Sequence, residues 1–418
     1  MRRFIALLSV SVILSACTEA ASSSESPSPP TVTTQQDVPS IPATRVGSFP
    51  SLALSTANGD VVAFHDGEFV TGANGLLTPN TDEVVGSRQG ATGHTVVEWR
   101  GAPSGEPAAT QTVTGDLSTT AISSSGTLAA LTDAEPGGAN ATSEVVVVDR
   151  NKGELGRWNL PGNLVPEAFA NAYMPEGNGM PIGVFAIEYL PSGAYRVRVI
   201  DTATGQLGLP LNLRDKSQQV DEEIRAISRT AVFDPGRQLL FTLYQGTTED
   251  MPSDDSFIHT LGLINGVWCL AVPAELELGD RDGALAVSPT GRLFAASPNG
   301  MVAGYDIDDI TDPGAQPVAD TVAELRSGAR VAVTADADEV AIAIDDTVFR
   351  LDLTTLEVRD TFTWDMAIEA LALVDEDVII VGTGRMTRVG PSHDLVAERL
   401  LPGGLEAIRR ITLLSTSN

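Results

Sequence analysis

The chain has 418 residues, of which 26 are Lys or Arg and 55 are Asp or Glu, so its formal net charge at pH 7 is −29. Nucleic acids and anionic bilayers are held by basic surfaces, so this charge argues against both as partners of the folded part. A hydrophobic fraction of 42% supplies a core and excludes a wholly disordered chain. Because a single core rarely grows beyond roughly 250–300 residues, the length predicts two domains or one repeat array.

The first sixteen residues have the pattern of an export signal. Arg2 and Arg3 provide a basic start, and residues 4–14 are almost uninterruptedly apolar but too short to span a bilayer comfortably. The closing tetrad Leu14-Ser15-Ala16-Cys17 resembles the lipobox of bacterial lipoproteins. The resemblance implies cleavage before Cys17 and acylation of its thiol, which would anchor the chain in the cell membrane at its extracytoplasmic face. The alternative is a plain secretory signal with an incidental cysteine.

Residues 17–45 have the composition of a tether. Of the 27 residues from 18 to 44, 16 are Ser, Thr or Pro, and none is aromatic. Such a segment cannot bury a core, so we expect a solvated, disordered spacer between the anchor and the folded domain. The sequence thus predicts a signal over residues 1–16, a lipidated tether over 17–45 and one domain over 46–418.

The remaining residues predict an all-β fold built from repeats. Short alternating or fully apolar β-branched runs are separated by Gly, Asp, Asn and Pro. The clearest unit, residues 119–160, has four strands, and similar units recur over residues 225–272, 284–322 and 330–362. A recurring four-stranded unit favours a β-propeller over a sandwich or a barrel.

The turns between these strands carry their own signals. Asn265-Gly266 predicts a two-residue hairpin, because both central positions need positive φ. Asp201 can accept hydrogen bonds from its turn while Gly205 takes the left-handed position. The first turns of two units have related motifs, Phe233-Asp234-Pro235-Gly236 and Ser288-Pro289-Thr290-Gly291. Together these turns resemble the repeats of bacterial WD40-like, YVTN and quinoprotein-type β-propellers.

The spacing of the predicted third strands indicates the number of blades. These strands lie near Val61, Val96, Val146, Val197, Leu261, Val302, Val348 and Thr387. Eight units result, although the second lacks a clear innermost strand, so seven blades is the alternative. The final run, residues 407–415, has no hairpin partner, and the first unit, residues 51–70, is one strand short. We therefore expect the C-terminal strand to complete the first blade and close the ring.

Few residues suit catalysis. In the predicted blades His94 and His259 fall near connections between second and third strands, and His65 and His393 near those between third and fourth strands, on the opposite face. The four histidines therefore cannot converge on one site. Cys269 follows Trp268 in an apolar run and is interpreted as a buried small hydrophobe. No nucleophile elbow, Walker loop or zincin motif is present, so the sequence predicts neither catalytic residues nor metal ligands.

Carboxylates are far more abundant than histidines or cysteines in this sequence. Residues 305–314 could offer oxygen ligands to calcium, but they lack the order of a calcium loop and are interpreted as a structural turn. A connection between second and third strands forms a candidate acidic interaction loop with Glu249, Asp250, Asp254 and Asp255. Asp133 and Glu135 lie in an equivalent connection, which predicts one strongly negative face. The alternative is a solvated acidic rim without a partner.

Three functions are compatible with this pattern. The leading hypothesis is a non-enzymatic, monomeric binding or scaffolding module for an unidentified protein or small ligand, without a resident cofactor. The second is a metal-assisted, lactonase-like hydrolase that uses carboxylates and calcium at the central channel. The third is an accessory protein of an envelope transporter.

Overall fold

The computed structural model describes residues 48–56, 61–70, 75–78, 83–102, 104–170, 183–248, 256–263, 266–273, 276, 278, 282–315, 318–402, 405 and 407–414. All of them belong to Thr44–Asn418, the larger of the two units into which the chain divides. The signal, Cys17 and the tether lie outside the described residues and stay predictions. None of the helices within these ranges is long and apolar enough to cross a bilayer.

The strands form eight four-stranded blades arranged as a β-propeller. Blade 1 contains β1 (Leu52–Thr56), β2 (Val61–His65), β3 (Glu68–Val70) and the last strand, β33 (Ile408–Leu413). Blade 2 contains β4 (Gly75–Leu77), β5 (Glu83–Gln89), β6 (His94–Gly101) and β7 (Pro107–Thr114). Blade 3 contains β8 (Ser118–Ile122), β9 (Leu128–Thr132), β10 (Thr142–Asp149) and β11 (Gly153–Pro161). Blade 4 contains β12 (Asn163–Ala170), β13 (Gly183–Tyr189), β14 (Tyr195–Asp201) and β15 (Leu207–Gly208).

The second half of the ring follows a short additional strand, β16 (Leu211–Asn212). Blade 5 contains β17 (Ile224–Asp234), β18 (Leu239–Thr248), β19 (Ser256–Gly262) and β20 (Gly266–Ala271). Blade 6 contains β21 (Ala284–Val287), β22 (Arg292–Ala296), β23 (Met301–Asp306), the one-turn helix α1 (Ile307–Thr311) and β24 (Thr321–Glu324). Blade 7 contains β25 (Val331–Ala335), β26 (Glu339–Ile344), β27 (Thr347–Asp352) and β28 (Val358–Thr363). Blade 8 contains β29 (Ala370–Val374), β30 (Asp377–Gly382), β31 (Arg385–Val389) and β32 (Leu395–Leu400).

The ring is closed by the C-terminal strand, as predicted. β33 pairs antiparallel with β1, with Leu52 opposite Leu413 and Leu54 opposite Ile411. This pairing makes β33 the first strand of blade 1. It covers the edge of β1, which would otherwise offer unpaired backbone groups to other chains.

The second and third strands of the blades contain the most continuously buried segments of the fold. The first strands of most successive blades contact one another and line the ring axis. The second and third strands are covered by neighbouring blades on both faces, so all positions of β9, β19 and β26 are buried. A strand that is buried on both faces has a continuous apolar sequence. In the outermost strand β7, by contrast, more and less exposed positions alternate.

The two ends of the blades carry different connections. The turns between first and second strands and between third and fourth strands lie at one end, which we call the turn face. The connections between second and third strands and between blades lie at the other, the linker face. Asp201 accepts hydrogen bonds from the amides of Ala203 and Thr204 (2.8 and 2.9 Å), and Gly205 has φ +71°, as predicted. Asp352 forms the same turn, with Leu356 in the left-handed position.

Several local predictions are corrected. β4 is the innermost strand of blade 2, which the sequence did not show, and the ring has the eight blades that the strand spacing predicted. Gly262 pairs with Gly266, which leaves three residues between β19 and β20 instead of the two-residue Asn265-Gly266 turn. The fourth strand of blade 6 is Thr321–Glu324, so it begins three residues later than the predicted strand over residues 318–322.

Candidate functional site

The connection between blades 4 and 5 is the main irregularity of the ring. The fourth strand of blade 4, β15, has only two residues, and the chain then crosses to blade 5, where β16 pairs parallel with β20. A single pair, Tyr195 with Ile224, also joins β14 to β17, so the two blades share one sheet. Two cavities border this connection, and we take them as the candidate functional site.

The larger cavity lies at the turn face between blades 5 and 6 and measures about 640 Å³. We call it the basic cavity, because Arg214, Lys216 and Arg237 line it together with only two carboxylates, Asp215 and Asp308. Three cations line this cavity, although the chain carries 55 acidic residues. The volume lies within the range of small-molecule sites, which is roughly 300–1,000 Å³.

Arg214 fixes one wall of the basic cavity. Its guanidinium donates hydrogen bonds to the backbone carbonyls of Asp312 and Ala315, which follow α1. It also lies 5.1 Å from the centre of the Trp268 ring, within the range of a cation–π contact. These contacts tie the blade 4–5 connection to blade 6 without neutralising the arginine charge.

The other two cations differ in how they are held. Arg237 donates a 3.0 Å hydrogen bond to Asp308 and lies 3.4 Å from Asp234, and the hydrogen bond to Asp308 raises the pKa of this guanidinium. Lys216 is exposed and forms no hydrogen bond or ion pair with any described residue. A hydroxyl and an amide of Ser217 bind Asp215 and lower the pKa of this carboxyl. Lys216 is therefore the charge in this cavity that is free to meet a ligand.

The smaller cavity has a volume of about 380 Å³ and is lined by Glu188, Arg198 and Asp221. Arg198 donates to Glu188 at 2.7 Å and to Asp221 at 2.8 Å, so both carboxylates share one cation. The charges of this cavity are therefore engaged with each other.

A buried polar cluster lies between blades 4 and 5. His259 is 5% exposed and directly opposite Cys269 on the neighbouring strand, whose thiol lies 3.3 Å from a carboxylate oxygen of Glu222. The rings of Tyr195 and Tyr244 pack beside them, 5.4 Å apart, and burial raises the pKa of Tyr195 well above its usual range. His259 thus lies within a strand, rather than near a connection as predicted. Cys269 is only partly buried and binds a carboxylate, which corrects its interpretation as a simple apolar filler.

The predicted acidic sites have different outcomes. Glu249, Asp250, Asp254 and Asp255 lie outside the described residues, and Cys17 does too, so both site predictions stay untested. Asp306 accepts a hydrogen bond from the amide of Asp308, and Asp312 one from Gly314, as expected of a structural turn. Among the described residues no group of three or more His, Cys, Asp or Glu could hold a metal ion.

The described acidic residues are not concentrated on one face. Eleven described aspartates accept hydrogen bonds from backbone amides, many of them in turns: Asp133, Asp149, Asp201, Asp215, Asp234, Asp306, Asp312, Asp336, Asp345, Asp352 and Asp360. Both faces of the ring contribute to this set. Much of the acidic excess therefore serves the turns, and the strongly negative face stays a prediction, because the loop with Glu249, Asp250, Asp254 and Asp255 lies outside the described residues.

Sequence reasoning missed the basic cavity. Arg214 and Asp312 are 98 residues apart, and Arg237 and Asp308 are 71 apart, so no local motif joins them. The one signal was the scarcity of lysine: only Lys152 and Lys216 occur in the whole chain.

No protein-family model matches the chain, and no curated protein matches it significantly. Similar solved structures include BamB from Moraxella catarrhalis, with 16% identity, 81% of this chain and 90% of that chain covered and a TM-score of 0.47. Apo AztD from Citrobacter koseri has 10% identity, coverages of 87% and 97% and a TM-score of 0.48. Sqt1 from Saccharomyces cerevisiae has 14% identity, coverages of 85% and 89% and a TM-score of 0.47. At these values the propeller assignment rests on the strand pairing itself.

Proposed function

We propose that this β-propeller is a binding module that holds a small anionic ligand, carrying carboxylate or phosphate groups, in the basic cavity. The observation that supports the proposal is the grouping of Arg214, Lys216 and Arg237 around a cavity of ligand size. We further propose that acyl chains on Cys17 hold the module at the extracytoplasmic face of the cell membrane.

The electrostatic argument depends on Lys216. The charges of Arg237 and Asp215 are engaged within the protein, whereas the ammonium of Lys216 has no described partner. A lysine is a compact, mobile point charge that can follow an anion as it enters. Arg214 is fixed by two carbonyls over Trp268, so it can present its remaining charge to the ligand from a rigid position.

The test compares the two lysines of the chain. Lys216→Glu should weaken the binding of citrate and inorganic pyrophosphate by roughly tenfold or more, because it replaces an attractive charge with a repulsive one. Lys152→Glu is the matched control, since Lys152 is exposed in a turn of blade 3 away from the cavity. Isothermal titration calorimetry at two salt concentrations gives the affinities. The proposal is wrong if neither anion binds the wild type or if the two variants bind equally.

The membrane anchor is tested with the two cysteines. Cys17→Ala should abolish incorporation of radiolabelled palmitate and release the protein from the membrane fraction. Cys269→Ala is the control, because Cys269 is the only other thiol. Label that persists in the Cys17→Ala protein would overturn the assignment.

The alternatives rest on the sequence alone. A metal-assisted hydrolase and a transporter accessory protein stay predictions, and no geometry among the described residues favours either over ligand binding. The choice of a binding module follows from the basic cavity, which is the feature of the ring that has the size and charge of a ligand site.

A further inference from the structure

The arginines of this protein are almost all neutralised. Of the nineteen arginines whose side chains are described, fifteen contact a carboxylate. Arg214 and Arg399 donate instead to backbone carbonyls. Arg225 and Arg410 form no hydrogen bond or ion pair with any residue that the structure describes.

These two arginines occupy equivalent places in the ring. Arg225 is in β17, the first strand of blade 5, and Arg410 is in β33, the first strand of blade 1. In an eight-bladed ring blades 1 and 5 are opposite each other, and first strands line the central channel. Both side chains are exposed and lie near the linker-face end of their strands, on opposite sides of the channel mouth.

A bulge in β33 places Arg410 there. Ser55 pairs with Arg410 but Thr56 pairs with Ile408, so Arg409 is an extra residue in the strand. Arg409 donates a 2.6 Å hydrogen bond to Asp282, which precedes blade 6. Blades 1 and 6 are not neighbours, so this ion pair crosses the channel mouth. It neutralises Arg409 and leaves the charge of Arg410 uncompensated.

The charge of Arg410 is open to a ligand. Its side chain is exposed, and desolvation lowers the pKa of the guanidinium, so an anionic partner would be favoured there. The guanidinium of an arginine can donate two parallel hydrogen bonds to a carboxylate or a phosphate group. A ligand that pairs with Arg410 would therefore carry such an anionic group.

We propose that the channel mouth binds an elongated ligand with an anionic group at each end, of the α,ω-dicarboxylate class, held between Arg225 and Arg410. A single anionic group can neutralise one guanidinium, whereas two groups on one chain can reach both walls. This site is separate from the basic cavity and does not depend on ligand binding there.

The test uses a series of dicarboxylates from succinate to sebacate, with hexanoate as the monoanion. The measurements are made by calorimetry on full-length protein carrying Lys216→Glu, so that binding in the basic cavity is weakened and contributes less to the signal. Affinity should pass through a maximum at one chain length, and hexanoate should bind at least roughly tenfold more weakly than the best dicarboxylate.

Variants of Arg225 and Arg410 test whether these two side chains bind the ligand. Arg225→Gln and Arg410→Gln should each lower the affinity of the best dicarboxylate roughly tenfold and remove its dependence on chain length. The double variant should lose little more, because a ligand that bridges two groups depends on both. Arg399→Gln, on the outermost strand of blade 8, is the control and should bind like the parent.

The arginine variants are expected to fold, so a loss of affinity would report on the ligand site and not on misfolding. Neither arginine forms a hydrogen bond or ion pair with a described residue, so Arg225→Gln and Arg410→Gln should keep the melting temperature of the parent protein. The proposal is overturned if affinity is independent of chain length or if Arg225→Gln and Arg410→Gln bind like Arg399→Gln.

Discussion

The indole nitrogen of Trp99 donates a 2.8 Å hydrogen bond to the carbonyl of Gly126, which ties the third strand of blade 2 to the first turn of blade 3. Trp99 is fully buried, so water cannot replace this bond. We expect Trp99→Phe to lower the free energy of unfolding by about 2–4 kcal/mol, because the carbonyl is left unpaired and a void forms beside it.

Trp364 provides the control for this substitution. Its indole nitrogen is buried but has no hydrogen-bond partner among the described residues. Trp364→Phe therefore loses no bond and should cost less than Trp99→Phe in urea-unfolding experiments. Equal losses in the two variants would show that the hydrogen bond to Gly126 contributes nothing.

The turn at Gly205 should tolerate no side chain. Gly205 and Gly193 both have positive φ, +71° and +81°, so alanine is strained at either position by about 1–2 kcal/mol. A Cβ at Gly205 would also collide with the ring of Trp158 in blade 3, whereas nothing lies within 4 Å of a Cβ at Gly193. Gly205→Ala should therefore cost at least about 1 kcal/mol more than Gly193→Ala in thermal or urea unfolding. Similar costs would mean that Trp158 can move aside freely.

The contact between blades 7 and 8 should depend on pH. Nε2 of His393 lies 2.6 Å from a carboxylate oxygen of Asp360, and this hydrogen bond holds the pKa of Asp360 below its usual value. A lowered carboxyl pKa stabilises the fold above the ordinary Asp pKa, and the stabilisation disappears as pH falls through the lowered value. Because both side chains are about one third exposed, the effect should stay below about 1 kcal/mol.

The variant His393→Asn tests this contact, since asparagine tolerates the positive φ of residue 393. Its unfolding free energy should fall below that of the wild type near neutral pH, and the difference should shrink at about pH 3 or below, where Asp360 is increasingly protonated. His94→Asn is the control, because His94 contacts a carbonyl rather than an acid. A difference that does not change with pH would contradict the role of Asp360.

Removal of the last strand should open the ring. A chain that ends at Pro402 lacks β33, so the edge of β1 is unpaired and Ile408 and Ile411 are missing from the core around Phe64. We expect this chain to aggregate or to pair through the exposed edge, as seen by light scattering after size-exclusion chromatography. A chain that ends at Leu414 keeps β33 and should remain like the wild type. A folded monomer that ends at Pro402 would contradict closure by β33.

The blades were predictable where burial is symmetrical. The run Val145, Val146, Val147 and Val148 is covered on both faces, so its sequence alone identifies a central strand. All eight predicted third strands occur, although β14 and β31 are only partly buried. The innermost strand of blade 2 was missed because its three residues, Gly75–Leu77, are too few to form a pattern.

The candidate site was not predictable by the same means. Lys216 and Arg214 lie in a connection without periodicity, and they meet Asp308 only because β16 pairs with the outer edge of blade 5. Arg225 and Arg410 are distinguished by the lack of a partner among the described residues, and that is visible only once the partners of the other arginines are known. Both sites follow from tertiary pairing between distant segments.

The pairing of β33 with β1 also sets the order in which the molecule can form. Blades 2 to 8 each assemble from strands that follow one another in the chain, so their contacts are local and can form early. Blade 1 joins Leu52 to Leu413, and this pairing carries the entropy of closing nearly the whole chain into a loop. We expect the docking of β33 to be the slow final event of folding, during which the edge of β1 stays open to chaperones and to other copies of the chain.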